Sequence, residues 1–134
     1  MNPEYIDFES HGDDRGGLVA IEQYKDVPFA IERIYYIFNT TVGVRRGYHA
    51  HRDLQQVAIA INGSCRFLLD DGESRCNVLL NNNKTGLKIS SMIWREMYDF
   101  SPDCILLVLA SKPYHEMDYI RNYDDFMQQV NKGV

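Results

Sequence analysis

Two histidines one residue apart, His49 and His51, close the stretch Gly43-Val44-Arg45-Arg46-Gly47-Tyr48-His49-Ala50-His51, just ahead of an alternating apolar run. On a β-strand, side chains at i and i+2 point to the same face, so both imidazoles would share one pocket wall. Such a pair can ligate a metal, move protons or hydrogen-bond a polar ligand. Imidazole titrates near about pH 6.5 and serves as base or acid around neutrality.

Gly43, five residues, His49-x-His51, four residues, Gln56 and six more to Gly63 follow the spacing of the first cupin motif, which this stretch resembles. Metal-binding cupins carry His, His and Glu there, with a third His on a later strand. Here Gln56 stands at the Glu position. If Gly86 opens the second motif, the third His falls near Met97, beside Arg95 and Glu96. A neutral amide is a poor metal ligand, a thioether suits soft Cu(I), and Arg95 would repel a cation. Glu96, Asp99 or His115 could rescue a site, but the expectation is no metal and no cofactor. The plain alternative, two satisfied structural histidines, fits less well with Arg45, Arg46 and Tyr48 beside them.

These groups need a scaffold. A chain of 134 residues, 45% apolar and 25% charged, reads as one soluble domain spanning 1–134. A net charge of −5 argues against a general nucleic-acid binder, without excluding a local basic pocket. Three widely spaced cysteines (Cys65, Cys76, Cys104) suggest no disulfide framework and a reducing cytoplasm. Neither a signal peptide nor an apolar run of about 20 residues is evident, so no membrane partner is expected.

Turn signals such as Asn62-Gly63, Asp70-Asp71-Gly72 and Asn81 to Gly86 separate short β-rich runs. The runs are Gly17–Glu22, Ile31–Phe38, Gln56–Ile61, Cys65–Leu69, Arg75–Leu80, Leu87–Ile89 and Ile105–Ala110. The spacing predicts an all-β protein, a jelly-roll β-barrel. Asp71-Gly72 reads as a two-residue hairpin turn. Tyr119, Ile120, Tyr123 and Phe126 suit one face of a short C-terminal helix that Asn122 could cap.

Several stretches occur in the order seen in the nucleotide-sugar 3,4-ketoisomerases. They are Arg15-Gly16-Gly17-Leu18-Val19-Ala20-Ile21-Glu22, Arg33-Ile34-Tyr35-Tyr36-Ile37-Phe38, Arg46-Gly47-Tyr48-His49-Ala50-His51 and Trp94-Arg95-Glu96-Met97. Leu109-Ala110-Ser111 and Asp118-Tyr119-Ile120-Arg121-Asn122-Tyr123 continue the series, so the chain resembles that family over nearly its whole length. The resemblance implies a metal-free cupin of the RmlC-like kind. It would move the keto group of dTDP-4-dehydro-6-deoxy-D-glucose from C4 to C3, giving a dTDP-3-dehydro-6-deoxyhexose for 3-amino-sugar biosynthesis. It also implies a homodimer with exchanged N-terminal strands. Many members carry His where this chain has Arg95, which leaves the C4 configuration of the product open.

That chemistry needs a base, an acid and donors for an oxyanion, but no redox cofactor. His49 is the choice for the base at C3 and His51 for the proton donor, although spacing cannot order them. Alternation lets only one of Tyr35 and Tyr36 face the pocket; the family pattern favours Tyr35 as a third catalytic group. Arg15 at a pocket rim, Arg46 for the diphosphate, Gln56 for a sugar hydroxyl and Arg95 for a hydroxyl or carbonyl complete the substrate-binding set. Trp94 reads as core and Glu96 as an arginine's partner. A non-catalytic nucleotide-sugar-binding cupin would keep the arginines without needing two histidines in one wall. A 3,5-epimerase-like cupin would instead exchange C5 as well as C3.

Overall fold

The computed structural model describes residues 1–132. In chain order the strands are β1 (Glu4–Asp7), β2 (His11–Asp13), β3 (Gly16–Leu18), β4 (Arg33–Phe38), β5 (Arg46–His51) and β6 (Gln56–Asn62). They continue with β7 (Cys65–Asp70), β8 (Arg75–Leu80), β9 (Thr85–Ile89), β10 (Trp94–Tyr98), β11 (Ile105–Ala110) and β12 (Tyr119–Ile120), before helix α1 (Tyr123–Lys132).

Two five-stranded antiparallel sheets, ordered β1-β9-β6-β11-β4 and β12-β5-β10-β7-β8, form a jelly roll. Hydrogen bonds do not close them into one barrel, which refines the expected barrel to a two-sheet sandwich. Between the sheets lie Ala58, Phe67, Leu69, Leu87, Leu106 and Val108, all essentially without solvent contact. Each large aliphatic or aromatic side chain so buried stabilises the fold by about 1.5–3 kcal/mol.

Strand β6 is apolar on both faces because both are covered. Ala58 and Ala60 face the inter-sheet core, while Val57 and Ile59 face Phe8, Val27 and Phe29. Those last residues come from the stretch before β4, which lies over the outside of the first sheet. The expected strand Gly17–Glu22 is therefore only β3, short and exposed, paired with β2 in a separate hairpin. Apolar residues beyond it, Val19 and Ile21, pack on the sheet without joining a ladder.

The turn after β7 is also longer than expected. Asp70 pairs with Arg75, leaving Asp71–Ser74 as a four-residue loop. The Asp70 carboxylate accepts the Gly72 N–H and that of Asp71 accepts the N–H groups of Glu73 and Ser74, which holds the wider turn. At the C-terminus, Tyr119 and Ile120 form β12 against β5 and do not belong to the helix. Asn122 accepts the Asp125 N–H at 3.0 Å and caps α1 as expected. Tyr123, Phe126 and Val130 then pack α1 against Trp94, Ala50 and Ile120 on the outside of the second sheet. The three cysteines are free thiols.

Candidate active site

A small cavity opens between the two sheets, lined by Tyr35, His49, Gln56 and Arg95 over an apolar floor of Ala58, Phe67, Ile89, Met97 and Val108. Alternation along β4 puts Tyr35 inside and leaves Tyr36 exposed, as the strand period requires.

Strand β5 delivers the histidines with a defect in its ladder. Arg95 pairs with His49 and Glu96 with Gly47, so Tyr48 is an extra residue with no partner on β10. This bulge bends β5 beside the cavity. Gly47 (φ +98°) and Tyr48 (φ +55°) both lie in the left-handed region, which a tyrosine adopts only at a cost. A Cβ on Gly47 would come within 3.0 Å of the Arg95 carbonyl oxygen, so glycine is needed here for space and conformation alike. Beyond the bulge normal alternation resumes: Ala50 faces α1, while the His49 and His51 rings meet edge to face, 4.9 Å apart.

Each ring is held from behind. His49 Nδ1 lies 3.0 Å from the Gly47 carbonyl oxygen, and His51 Nδ1 lies 2.9 Å from Asp118 Oδ2. A carbonyl or carboxylate only accepts, so both Nδ1 atoms carry the proton and both Nε2 atoms present a lone pair. His51 Nε2 is buried and has no hydrogen-bond partner among the described residues. The Tyr119 ring packs against both imidazoles, with centroids 5.0 Å and 4.3 Å away.

Opposite them lies an unusual cation. Arg95 is 3% exposed and among the described residues no carboxylate is bonded to it; its guanidinium donates to the Ile93 carbonyl and to Gln56 Oε1. Gln56 Nε2 in turn donates to the Tyr35 hydroxyl at 2.8 Å. A buried charge without a counter-ion is costly, and here it faces the cavity. Burial lowers the Arg95 pKa to about 10, still cationic at neutral pH. Burial, then the Arg95 charge, pulls His49 down to about 3. The same two causes bring His51 to about 4, with Asp118 pulling the other way. Burial raises Tyr35, keeping its hydroxyl protonated as a donor. The pair is therefore two neutral bases beside a fixed positive charge, suited to taking a proton and stabilising the anion left behind. Two imidazoles, an amide and a guanidinium make a poor cation cage; Met97, at the expected third-histidine position, turns its thioether to the same cavity.

Of the expected residues, Tyr35, His49, His51, Gln56 and Arg95 come together. Arg46 lies at the exposed start of β5, outside the cavity wall, and Arg45 is bound to Glu96 at 2.8 Å. Arg15 lies on the exposed β2–β3 hairpin, where it pairs with Asp13, away from the histidines of its own chain. Trp94 is core, as read, and donates to Glu96. Asp118 had no expected role in the site and Tyr119 only a place on the C-terminal helix, because the His51–Asp118 contact spans 67 positions and leaves no local signal.

The fold and cavity define a jelly-roll protein that gathers two imidazoles, a phenol, an amide and a guanidinium in one place between its sheets. Residues 1–131 match the family model described as FdtA: WxcM-like, C-terminal, and the chain belongs to that family. It is 48% identical over 132 residues to a TDP-4-oxo-6-deoxy-alpha-D-glucose-3,4-oxoisomerase of Aneurinibacillus thermoaerophilus, covering 98% of this chain and 95% of that one. A crystal structure of a 3,4-ketoisomerase from Helicobacter canadensis is 46% identical, with TM-score 0.94 and 98% of both chains covered. A mutant of the 3,4-ketoisomerase QdtA from Thermoanaerobacterium thermosaccharolyticum, in complex with TDP-4-keto-6-deoxyglucose, is 43% identical with TM-score 0.95, covering 98% of this chain and 95% of that one.

Proposed function

We propose that the protein is a 3,4-ketoisomerase that moves the keto group of dTDP-4-dehydro-6-deoxy-D-glucose from C4 to C3, without a metal or cofactor. The observation that carries this reading is the pair of neutral imidazoles, lone pairs free, facing a buried unpaired guanidinium. The 4-ketone acidifies the C3 proton, and His49 Nε2 removes it. Negative charge then develops on O4, where Arg95 and the Tyr35 hydroxyl stabilise it. The proton held by His49 passes to O4. The O3 proton passes to His51 Nε2, and His51 delivers it to C4 as the C3 carbonyl forms. One C–H bond breaks and one forms, with no net change in protonation. General acid–base steps of this kind contribute about 10²–10⁴-fold.

Gln56 holds Tyr35 and Arg95 in register and faces a sugar hydroxyl. Arg46, three residues before His49, is the guanidinium assigned to the diphosphate. We assign Arg15 to the rim of a second copy's cavity, in a homodimer with exchanged N-terminal strands. The β2–β3 hairpin supports this: among the described residues its two strands pair with each other alone, and a groove of about 800 Å³ separates it from Ile61, Asn83 and Lys84. The chain would act as one domain in the cytoplasm, supplying a 3-keto sugar nucleotide for amination at C3. Among the described residues no helix is long and apolar enough to cross a membrane.

Proton NMR of dTDP-4-dehydro-6-deoxyglucose incubated with the protein in D₂O, with and without chelator, tests the reading. A 3-keto product formed in both is expected, and its coupling constants report the C4 configuration. An unchanged substrate overturns the proposal, as does deuterium at C5 with the ketone retained at C4.

A further inference from the structure

Asp118 has both carboxylate oxygens committed. Oδ2 meets His51 Nδ1 at 2.9 Å, and Oδ1 accepts the Asp53 N–H at 2.7 Å. Its backbone is clamped on both sides: Arg52 Nη1 donates at 2.8 Å to the carbonyls of Met117 and Tyr119, and the Arg52 N–H donates to the Asp118 carbonyl at 2.9 Å. His51 itself is 1% exposed and its Nε2 is left unpaired. His49 differs in one respect. Behind it stands a neutral carbonyl, so its tautomer is fixed but among the described residues no carboxylate is bonded to its ring.

We propose that Asp118 is a positioning residue that fixes the Nε2 lone pair of His51 and balances its charge, making His51 the histidine that carries the proton to C4. This rests on the ketoisomerase reading. The two histidines then divide the work by what stands behind them. His49 takes the C3 proton briefly, against the enediolate that its removal creates. His51 takes the O3 proton as an imidazolium paired with the carboxylate behind it.

Replacing Asp118 with asparagine separates geometry from charge. An amide can still give its oxygen to the Asp53 N–H, but its NH₂ group then faces His51 Nδ1. Satisfying that donor requires the opposite ring tautomer, with Nε2 protonated and useless as a base. Nitrogen-15 ring spectra of the wild-type protein should show His51 protonated at Nδ1, and Asp118→Asn should move the proton to Nε2. Conversion to the 3-keto product should fall by about 10²-fold or more. Solvent exchange at C3, which His49 performs, and KM should stay within about threefold of wild type. A wild-type His51 protonated at Nε2 overturns the inference without any variant. So does Asp118→Asn turning over at the wild-type rate, or losing C3 exchange in step with ketone transfer. Wild-type protein that leaves the substrate untouched overturns the ketoisomerase reading instead, and the nitrogen spectra still report on Asp118 by themselves.

Discussion

Arg95 sets the electrostatics of the cavity as a buried cation. Its guanidinium is held by a backbone carbonyl and an amide, and among the described residues no carboxylate is bonded to it. Both histidines feel that charge as a downward pull on their pKa, second only to burial. Arg95→Met should therefore move His49 up from about 3 and His51 up from about 4, though not fully to about 6.5, because burial remains. A pH titration of the imidazole Cε1–H resonances checks the direction; unmoved resonances would sink the idea. The same variant should lose about 10²-fold in isomerisation, since the developing oxyanion loses its fixed cation. Residue types carried much of this: His49-x-His51, Gln56 and Arg95 stand out in the chain, and the fold brings these side chains together. The hydrogen bonds that fix tautomers are not legible, because Gly47, Asp118 and Gln56 act through contacts that only the folded chain creates.

At the level of elements, the strands read from sequence are those with continuous or alternating apolar residues, and β8 and β11 match their expected spans. Strands β1 and β2 are short with mostly exposed side chains, and β12 is only two residues long, so neither periodicity nor propensity marks them. The bulge in β5 is the least legible feature and the most consequential for the site. Two residues with positive φ, one of them tyrosine, occupy the middle of a strand, and the glycine alone hints at it. Gly47→Ala should destabilise the protein by about 1–3 kcal/mol, from φ strain and the approach to the Arg95 carbonyl. Activity should fall further than stability alone explains, because His49 loses the carbonyl that orients it. Urea midpoints compared with turnover at a temperature where both proteins are folded separate the two effects. Equal turnover would show that the bulge does not aim His49.

For the whole molecule, two properties follow from how the sheets are covered. The first sheet is coated by the stretch before β4 and the second by α1, but the outer face of β4 is bare, with Ile34 58%, Tyr36 61% and Phe38 56% exposed on an edge strand. A row of three large apolar side chains beside unpaired backbone is a liability in a lone chain and a suitable seat for a second copy. If the chain forms the homodimer proposed above, Phe38→Asp together with Tyr36→Lys should shift sedimentation from dimer toward monomer; an unchanged dimer would place the contact elsewhere, and a monomeric wild type would overturn the homodimer.

The second property is the response to acid. His49 and His51 titrate near about 3 and about 4 in the folded chain, against about 6.5 when unfolded. From pH 6.5 down to about 4 the unfolded chain binds protons that the native state refuses. Stability therefore rises with pH across that window and falls as pH drops through it, by up to about 1.4 kcal/mol per pH unit for each histidine. Depressed carboxylates such as Asp13 and Asp71 lose their contribution only at lower pH, below their usual range. Urea midpoints should hold steady above about pH 7 and decline between pH 6.5 and 4.5. The double variant His49→Asn with His51→Asn should flatten that decline, because it removes both groups that resist protonation. A wild-type midpoint that stays level to pH 4.5 would mean that the cavity admits protonated imidazoles, and that Arg95 does not govern their charge.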